Sequence, residues 1–118
     1  MLTSYQQLTV WQKAFALSIK IFRLTTKFPK SELYGLVSQM RRCGVSIPSN
    51  IAEGYMRGYR QEYLQFLRTA LASGAELETQ LLIAKELGFL TVEEYNEVNN
   101  LLTEVQKMLN KLISSLKN

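Results

Sequence analysis

An all-α fold is what the sequence predicts: an antiparallel up-down-up-down four-helix bundle, with its second helix kinked at Pro48. Three observations carry the prediction. Apolar residues recur at gaps of three and four through most of the 118 residues, strand-like alternation is almost absent, and Pro29, Gly88 and the pair Thr91/Glu94 divide the chain at short intervals. Connections this short favour neighbours that run in opposite directions. The length suits one domain, residues 1–118, large enough to enclose a core.

Helix one, about residues 8 to 27, carries two adjacent stripes: Leu8, Trp11, Phe15 and Phe22, then Ala14, Leu17, Ile21, Leu24 and Phe28. Together they predict a wide buried face. Pro29 disfavours helical geometry at Phe28, so the first connection falls within FPKSELYG. Helix two contains MRRCGVSIPSNIAEG, residues 40–54. Val37, Met40, Gly44, Ile47, Ile51 and Gly54 keep the three-four spacing straight through Pro48, which is why the helix is expected to bend there rather than end. A proline within a helix costs about 3 kcal/mol, because it has no amide hydrogen and its ring presses on the carbonyl four residues back. Here that carbonyl belongs to Gly44, and a proline kept at such a cost points to a shaped bundle or interface.

Helix three, about 60 to 87, places Phe66, Ala70, Ser73, Leu77, Ala84 and Leu87 on one seam, with Leu64, Leu67, Leu71, Gly74 and Leu81 beside it. The small residues Ala72, Ser73, Gly74 and Ala75 let another helix come close, and Gly88 is a natural stop. In helix four the stripe Tyr95, Val98, Leu102, Val105, Leu109, Leu112 and Leu116 is unbroken. Thr91 followed by Glu94 is a capping box that starts it, and Glu93, Glu94 and Glu97 form a favourable acidic opening.

Hydrophobic residues make up 47% of the chain and charged residues 20%, a composition that folds. A lone Cys43 permits no internal disulfide and points to a cytoplasmic setting, with the thiol as a small core residue. MLTSYQQLTV lacks the cationic start and apolar run of a leader, and no stretch approaches eighteen apolar residues, so neither export nor membrane insertion is expected. The net charge is +4, but residues 1–70 hold ten Lys/Arg against three Glu, whereas residues 71–118 hold four against seven. Such polarity attracts an anionic polymer or lets subunits pack basic region to acidic region.

The residues argue against an enzyme. There is no histidine, and the one cysteine stands at an apolar position with no base nearby in sequence. No cluster has metal-ligand spacing and no glycine-rich loop cradles phosphate, so no metal or cofactor is expected. Beside the apolar seam of helix two runs a polar one: Gln39, Arg42, Ser46, Ser49 and Glu53. It reads as a solvated surface or as a subunit contact in which Arg42 and Glu53 find partners on another chain.

Nucleic-acid binding has two sequence signals. Lys13, Lys20 and Lys27 recur every seven residues on helix one, with Arg23 and Lys30 adjoining, so one long edge is basic. At the junction of helices two and three, YMRGYRQEY interleaves Arg57 and Arg60 with Tyr55, Tyr59 and Tyr63. Guanidinium groups hold phosphates while tyrosine rings stack on unpaired bases. The lysines read equally as a solubilising face, and the tyrosines as a packed ladder with surface hydroxyls.

Five stretches in order, LTVWQKA, FPKSELYGLVSQMRR, SIPSNIAEG, FLRTALASGAELETQL and AKELGFL, closely resemble the bacterial 23S rRNA-intervening sequence proteins over about residues 5 to 90. The reading frames of that family often lie in inserts of the large-subunit rRNA gene. Relatives include the accessory variability determinant of diversity-generating retroelements, a basic homopentamer that associates with a reverse transcriptase and nucleic acid. The resemblance implies the same bundle and a pentameric ring. Trp11, Tyr34, Gly35, Gln39, Arg42, Ser49, Asn50, Glu53 and Gly54 coincide with the family pattern; with Pro48 they look like packing and assembly positions, none catalytic. Tyr59 departs from it, standing where a small capping residue is frequent, as does Ala72 where glycine is common. The expectation is a non-enzymatic, self-associating protein that binds RNA or DNA, or alternatively a scaffold or accessory subunit for an acidic protein partner.

Overall fold

The computed structural model describes residues 4–117, so the first three residues of MLTSYQQLTV and the final Asn118 lie outside the described residues. Four helices account for most of the chain: α1 (Thr9–Thr25), α2 (Ser38–Arg57), α3 (Arg60–Glu86) and α4 (Val92–Lys117). No strand occurs among the described residues. The body is a rod of 43 × 24 × 20 Å.

Each helix is built where its apolar spacing puts a continuous buried row. Leu17 and Ile21 of α1, Met40, Ile47 and Ile51 of α2, Leu67, Leu77 and Leu81 of α3, and Leu102 and Leu109 of α4 are almost completely removed from solvent. Each such side chain contributes about 1.5–3 kcal/mol through burial. Four positions expected to be buried differ from the spacing argument. Phe15 and Phe22, expected inside, are 48% and 39% exposed, so the buried face of α1 is narrower than its apolar face. Leu87 lies beyond the last residue of α3 and is exposed, and Ile113 rather than Leu112 completes the buried row of α4. Of the small cluster, only Ser73 and Gly74 turn inward, against α2 and α4 respectively.

Two glycines make the sharp connections. Gly58 closes α2 at φ +80° and Gly88 follows α3 at φ +77°, the left-handed region that other residues adopt only with strain. Tyr59, which lacks a capping bond, nevertheless precedes α3 directly, so the departure from the family pattern leaves the helix start at Arg60. The first connection is longer. After Phe28 come a 3-10 turn at Lys30–Glu32 and one π-helical turn, Leu33–Val37, that leads into α2. Then α2 runs from Ser38 through Pro48 to Arg57 without interruption.

The Thr91 box forms as the sequence suggests. Glu94 N donates to Thr91 Oγ1 at 3.1 Å, and Thr91 N donates to Glu94 Oε1 at 2.9 Å. Two orphan amides are thus satisfied at the start of α4.

Candidate interaction surfaces

Cys43 is fully buried, and desolvation pushes its thiol above the usual cysteine value, so it is held as an inert core group. Among the described residues no three Cys or Glu side chains come close enough to share a metal ion. No helix among the described residues is long and apolar enough to cross a membrane. What distinguishes the molecule chemically lies on its outside.

The lysine edge of α1 faces α4. Lys13 Nζ lies 3.0 Å from Glu104 Oε2, Lys20 pairs with Glu97, and Lys27 pairs with Glu94. Residue numbers rise along α1 as they fall along α4, so the two helices run in opposite directions. The hydrogen bond from Lys27, reinforced by the Thr91 amide, holds the Glu94 carboxyl below the ordinary carboxylate range. All three rungs are partly exposed, and each contributes about 0–1 kcal/mol. Their larger effect is on charge, because three of the cations expected to meet nucleic acid already have carboxylate partners. Arg23 and Lys30 of the same edge make no ion pair among the described residues and stay exposed.

The polar seam of α2 is occupied mainly by contacts within the chain. Arg42 Nη2 donates to Glu76 Oε2 of α3 at 2.7 Å and more weakly to Gln39 Oε1. Ser46 and Ser73 hydroxyls lie 2.8 Å apart, and Asn50 Nδ2 donates to Ser46 O at 2.8 Å and to Ser46 Oγ at 2.9 Å. Glu53 accepts from Arg57 at 3.0 Å one turn on. Partners for Arg42 and Glu53 are therefore present within the chain itself, and Ser49 is the exposed remainder of that row together with Gln39.

At the α2–α3 junction the tyrosines divide. Tyr55 and Tyr63 meet edge to face with ring centroids 6.1 Å apart, whereas Tyr59 is 70% exposed. Burial, and secondarily Tyr55, pushes the Tyr63 phenol up to about 12. Arg57 is held by Glu53 and Glu62 and lies over the Phe66 ring at 5.1 Å, and Arg60 is exposed at the start of α3.

The structure adds an apolar flank that periodicity missed. Phe15, Ile19 and Phe22 line the outer side of α1, and Val45 is exposed on α2 beside a groove that Pro48 and Trp11 help to line. Trp11 and Phe15 stack at 5.2 Å, and Arg41 lies over the Phe22 ring at 4.9 Å while its Nε donates to Thr25 Oγ1 at 3.0 Å. These residues anchor α2 to α1 while leaving apolar surface outward. A signal was present in the sequence, since α1 carried more apolar residues than one buried stripe holds.

These features define a helical-bundle protein whose distinctive groups are surfaces for contact. The chain belongs to the 23S rRNA-intervening sequence protein family, whose model matches residues 6–111. It is similar to a crystal structure described as a protein of unknown function from the S23 ribosomal protein family of Bacteroides thetaiotaomicron. The two share 27% sequence identity at a TM-score of 0.83, covering 89% of this chain and 95% of that one. None of the curated proteins compared with the chain matches it.

Proposed function

We propose that this protein is a non-enzymatic, cytoplasmic bundle that self-associates through the apolar flank of α1 and α2 and holds RNA or DNA on its basic surface. The observation that carries the reading is the row Phe15, Ile19 and Phe22, 39–48% exposed on one helix, next to Val45 at 45%. A contiguous apolar patch of this kind marks a contact site. A second patch occupies the end formed by the α1–α2 and α3–α4 connections, where Leu33, Tyr34 and Leu87 are exposed. Two unlike patches on one copy suit head-to-tail contacts, which form a ring when the rotation between copies closes; the family resemblance sets the expected number at five. The net charge of +4 and the unpaired cations support an anionic polymer as the second partner.

Light scattering on a sizing column tests the first half. The wild type is expected to run as an oligomer and Phe15→Ser/Ile19→Ser as a monomer of unchanged helicity; a monomeric wild type removes self-association. Salt-titrated gel shift tests the second half, because phosphate contacts weaken steeply as salt rises. A chain that ignores RNA and DNA at low salt but captures an acidic protein is instead the scaffold.

A further inference from the structure

Folding redistributes the charge that the sequence divides into a basic and an acidic half. The contacts of Lys13 with Glu104 and of Gly54 with Phe66 gather the start of α1, the end of α2, the start of α3 and the end of α4 at one end of the rod. In the other half, residues 14–49 and 69–103, seven cations stand against seven carboxylates. At the gathered end seven stand against three, so the whole net charge of +4 resides there. Its three carboxylates, Glu53, Glu62 and Glu104, are occupied by Arg57 and Lys13.

The surplus is concentrated on α3 and α4. Gln106 Nε2 donates to Leu71 O at 2.9 Å, which brings Arg68 level with the turn from Lys107 to Lys111 and carries Lys117 level with Arg60. From Tyr63 to Ala75 on α3, and from Val105 to Lys117 on α4, there is no acidic residue. Arg68, Lys107, Lys111 and Lys117 are exposed and make no carboxylate ion pair among the described residues, and Arg60 adjoins them. Helical rise spaces these cations by about 6 Å from Lys107 to Lys111, about 9 Å to Lys117 and about 12 Å from Arg60 to Arg68. Those spans correspond to two to four phosphates at about 3.4 Å of rise each along a strand.

We propose that this α3/α4 strip, rather than the lysine edge of α1, is the nucleic-acid site, and that it grips the phosphodiester backbone without reading bases. The proposal rests on the nucleic-acid half of the function given above and names its location. No large apolar side chain is exposed on these stretches of α3 and α4; Asn110 is exposed among the α4 cations, while Gln65 and Thr69 lie on the α2 side of α3 beside Arg57 and Phe66. A membrane-bound helix needs apolar side chains to insert, and a protein partner needs buried anchors. Lys111 borders a groove with Leu8, Val10, Met108 and Leu112 on the α1 side of α4, but none of those side chains is exposed. A cationic strip without exposed apolar anchors matches phosphate contacts, which position a polymer without specifying its sequence.

Fluorescence anisotropy with labelled single-stranded DNA, duplex DNA and a structured RNA, each titrated with salt, tests the site. The variant Arg68→Gln/Lys107→Gln/Lys111→Gln/Lys117→Gln should lose about 3–4 from the slope of log K against log salt on duplex DNA, at about 0.9 per phosphate contact. Arg23→Gln/Lys30→Gln should keep the wild-type slope, and Lys107→Gln and Lys111→Gln alone should each lose about 0.9, covering the case in which the fourfold variant fails to fold. If the wild type binds and the fourfold variant retains the full slope, the strip is wrong while the function stands. If the wild type binds none of the probes at low salt, the function falls and the site with it. Strip-dependent binding of anionic vesicles or polyglutamate, without nucleic acid, would assign the strip to another partner and overturn the proposal.

Discussion

Adding one methyl group at Gly54 and, separately, at Gly44 measures how closely α2 is wedged between its neighbours. A Cβ built on Gly54 would lie 2.7 Å from Phe66 Cβ and 3.0 Å from Tyr63 Cδ1, both on α3. Carbon atoms in contact rest at about 3.5–4.0 Å, and Phe66 Cβ sits too close to its backbone to swing aside. At Gly44 the same addition would meet Ile21 Cβ at 3.6 Å, an ordinary contact. Replacing a helical glycine by alanine gains about 1 kcal/mol at either position, so that term cancels in the difference between the variants. What remains is the overpacking cost at Gly54, about 1–3 kcal/mol. Gly44→Ala should therefore be more stable than the wild type, and Gly54→Ala should melt below Gly44→Ala by at least about 4 °C, taking about 4 °C per kcal/mol for a chain of this size. Helical ellipticity followed through heat and urea reads both. Equal stability of the two variants, or Gly44→Ala the weaker, would refute the steric argument. The second result would instead make Gly44 the position that yields to the Pro48 ring.

The capping box and the Tyr63 phenol give the remaining predictions. Thr91→Ala removes the acceptor of the Glu94 amide and should cost about 1 kcal/mol in urea unfolding, while a change near zero would mean that water replaces the hydroxyl. Glu94→Gln keeps a capping side chain but removes the charge that Lys27 stabilises. Because the folded carboxyl is depressed, its contribution is complete above the unfolded value of about 4.3 and is lost as pH falls through the folded one. The melting difference between wild type and Glu94→Gln should therefore shrink in acid, and a difference independent of pH would contradict this. Tyr63 carries a buried hydroxyl with no hydrogen-bond partner among the described residues, so Tyr63→Phe should leave stability at neutral pH unchanged or raise it by up to about 1 kcal/mol. The folded phenol ionises near 12, above the unfolded value of about 10. The wild type should lose stability progressively as pH rises between those values, and Tyr63→Phe should lose less.

The architecture was legible because its signals are local. The stripe of α4, the Thr91 box and the stop at Gly88 each depend on residues within one or two turns of one another. The π-helical turn at Leu33–Val37 left no such mark, since nothing in LYGLV distinguishes five residues per loop from four. Burial was legible only as periodicity. Spacing puts Phe15 and Phe22 on the apolar side of α1 but does not say how far around the neighbouring helix reaches. The candidate contact residues were harder still. Lys13, Lys20 and Lys27 form a basic edge in the linear chain, and their neutralisation depends on carboxylates roughly seventy to ninety residues away. Arg68, Lys107, Lys111 and Lys117 belong to two unremarkable segments until α3 and α4 lie side by side.

The lysine rungs also act as a vernier against slippage. Sliding α4 by one helical turn, about 5.4 Å, in either direction strips two of the three lysines of their carboxylates. One direction leaves Lys13 opposite Asn100 or Leu101, and the other brings it to Lys107 or Met108. Oily rows repeating every three or four residues would tolerate either misalignment almost equally well. Weak, solvent-washed charges thus select one alignment of the rod among several that its greasy interior would accept.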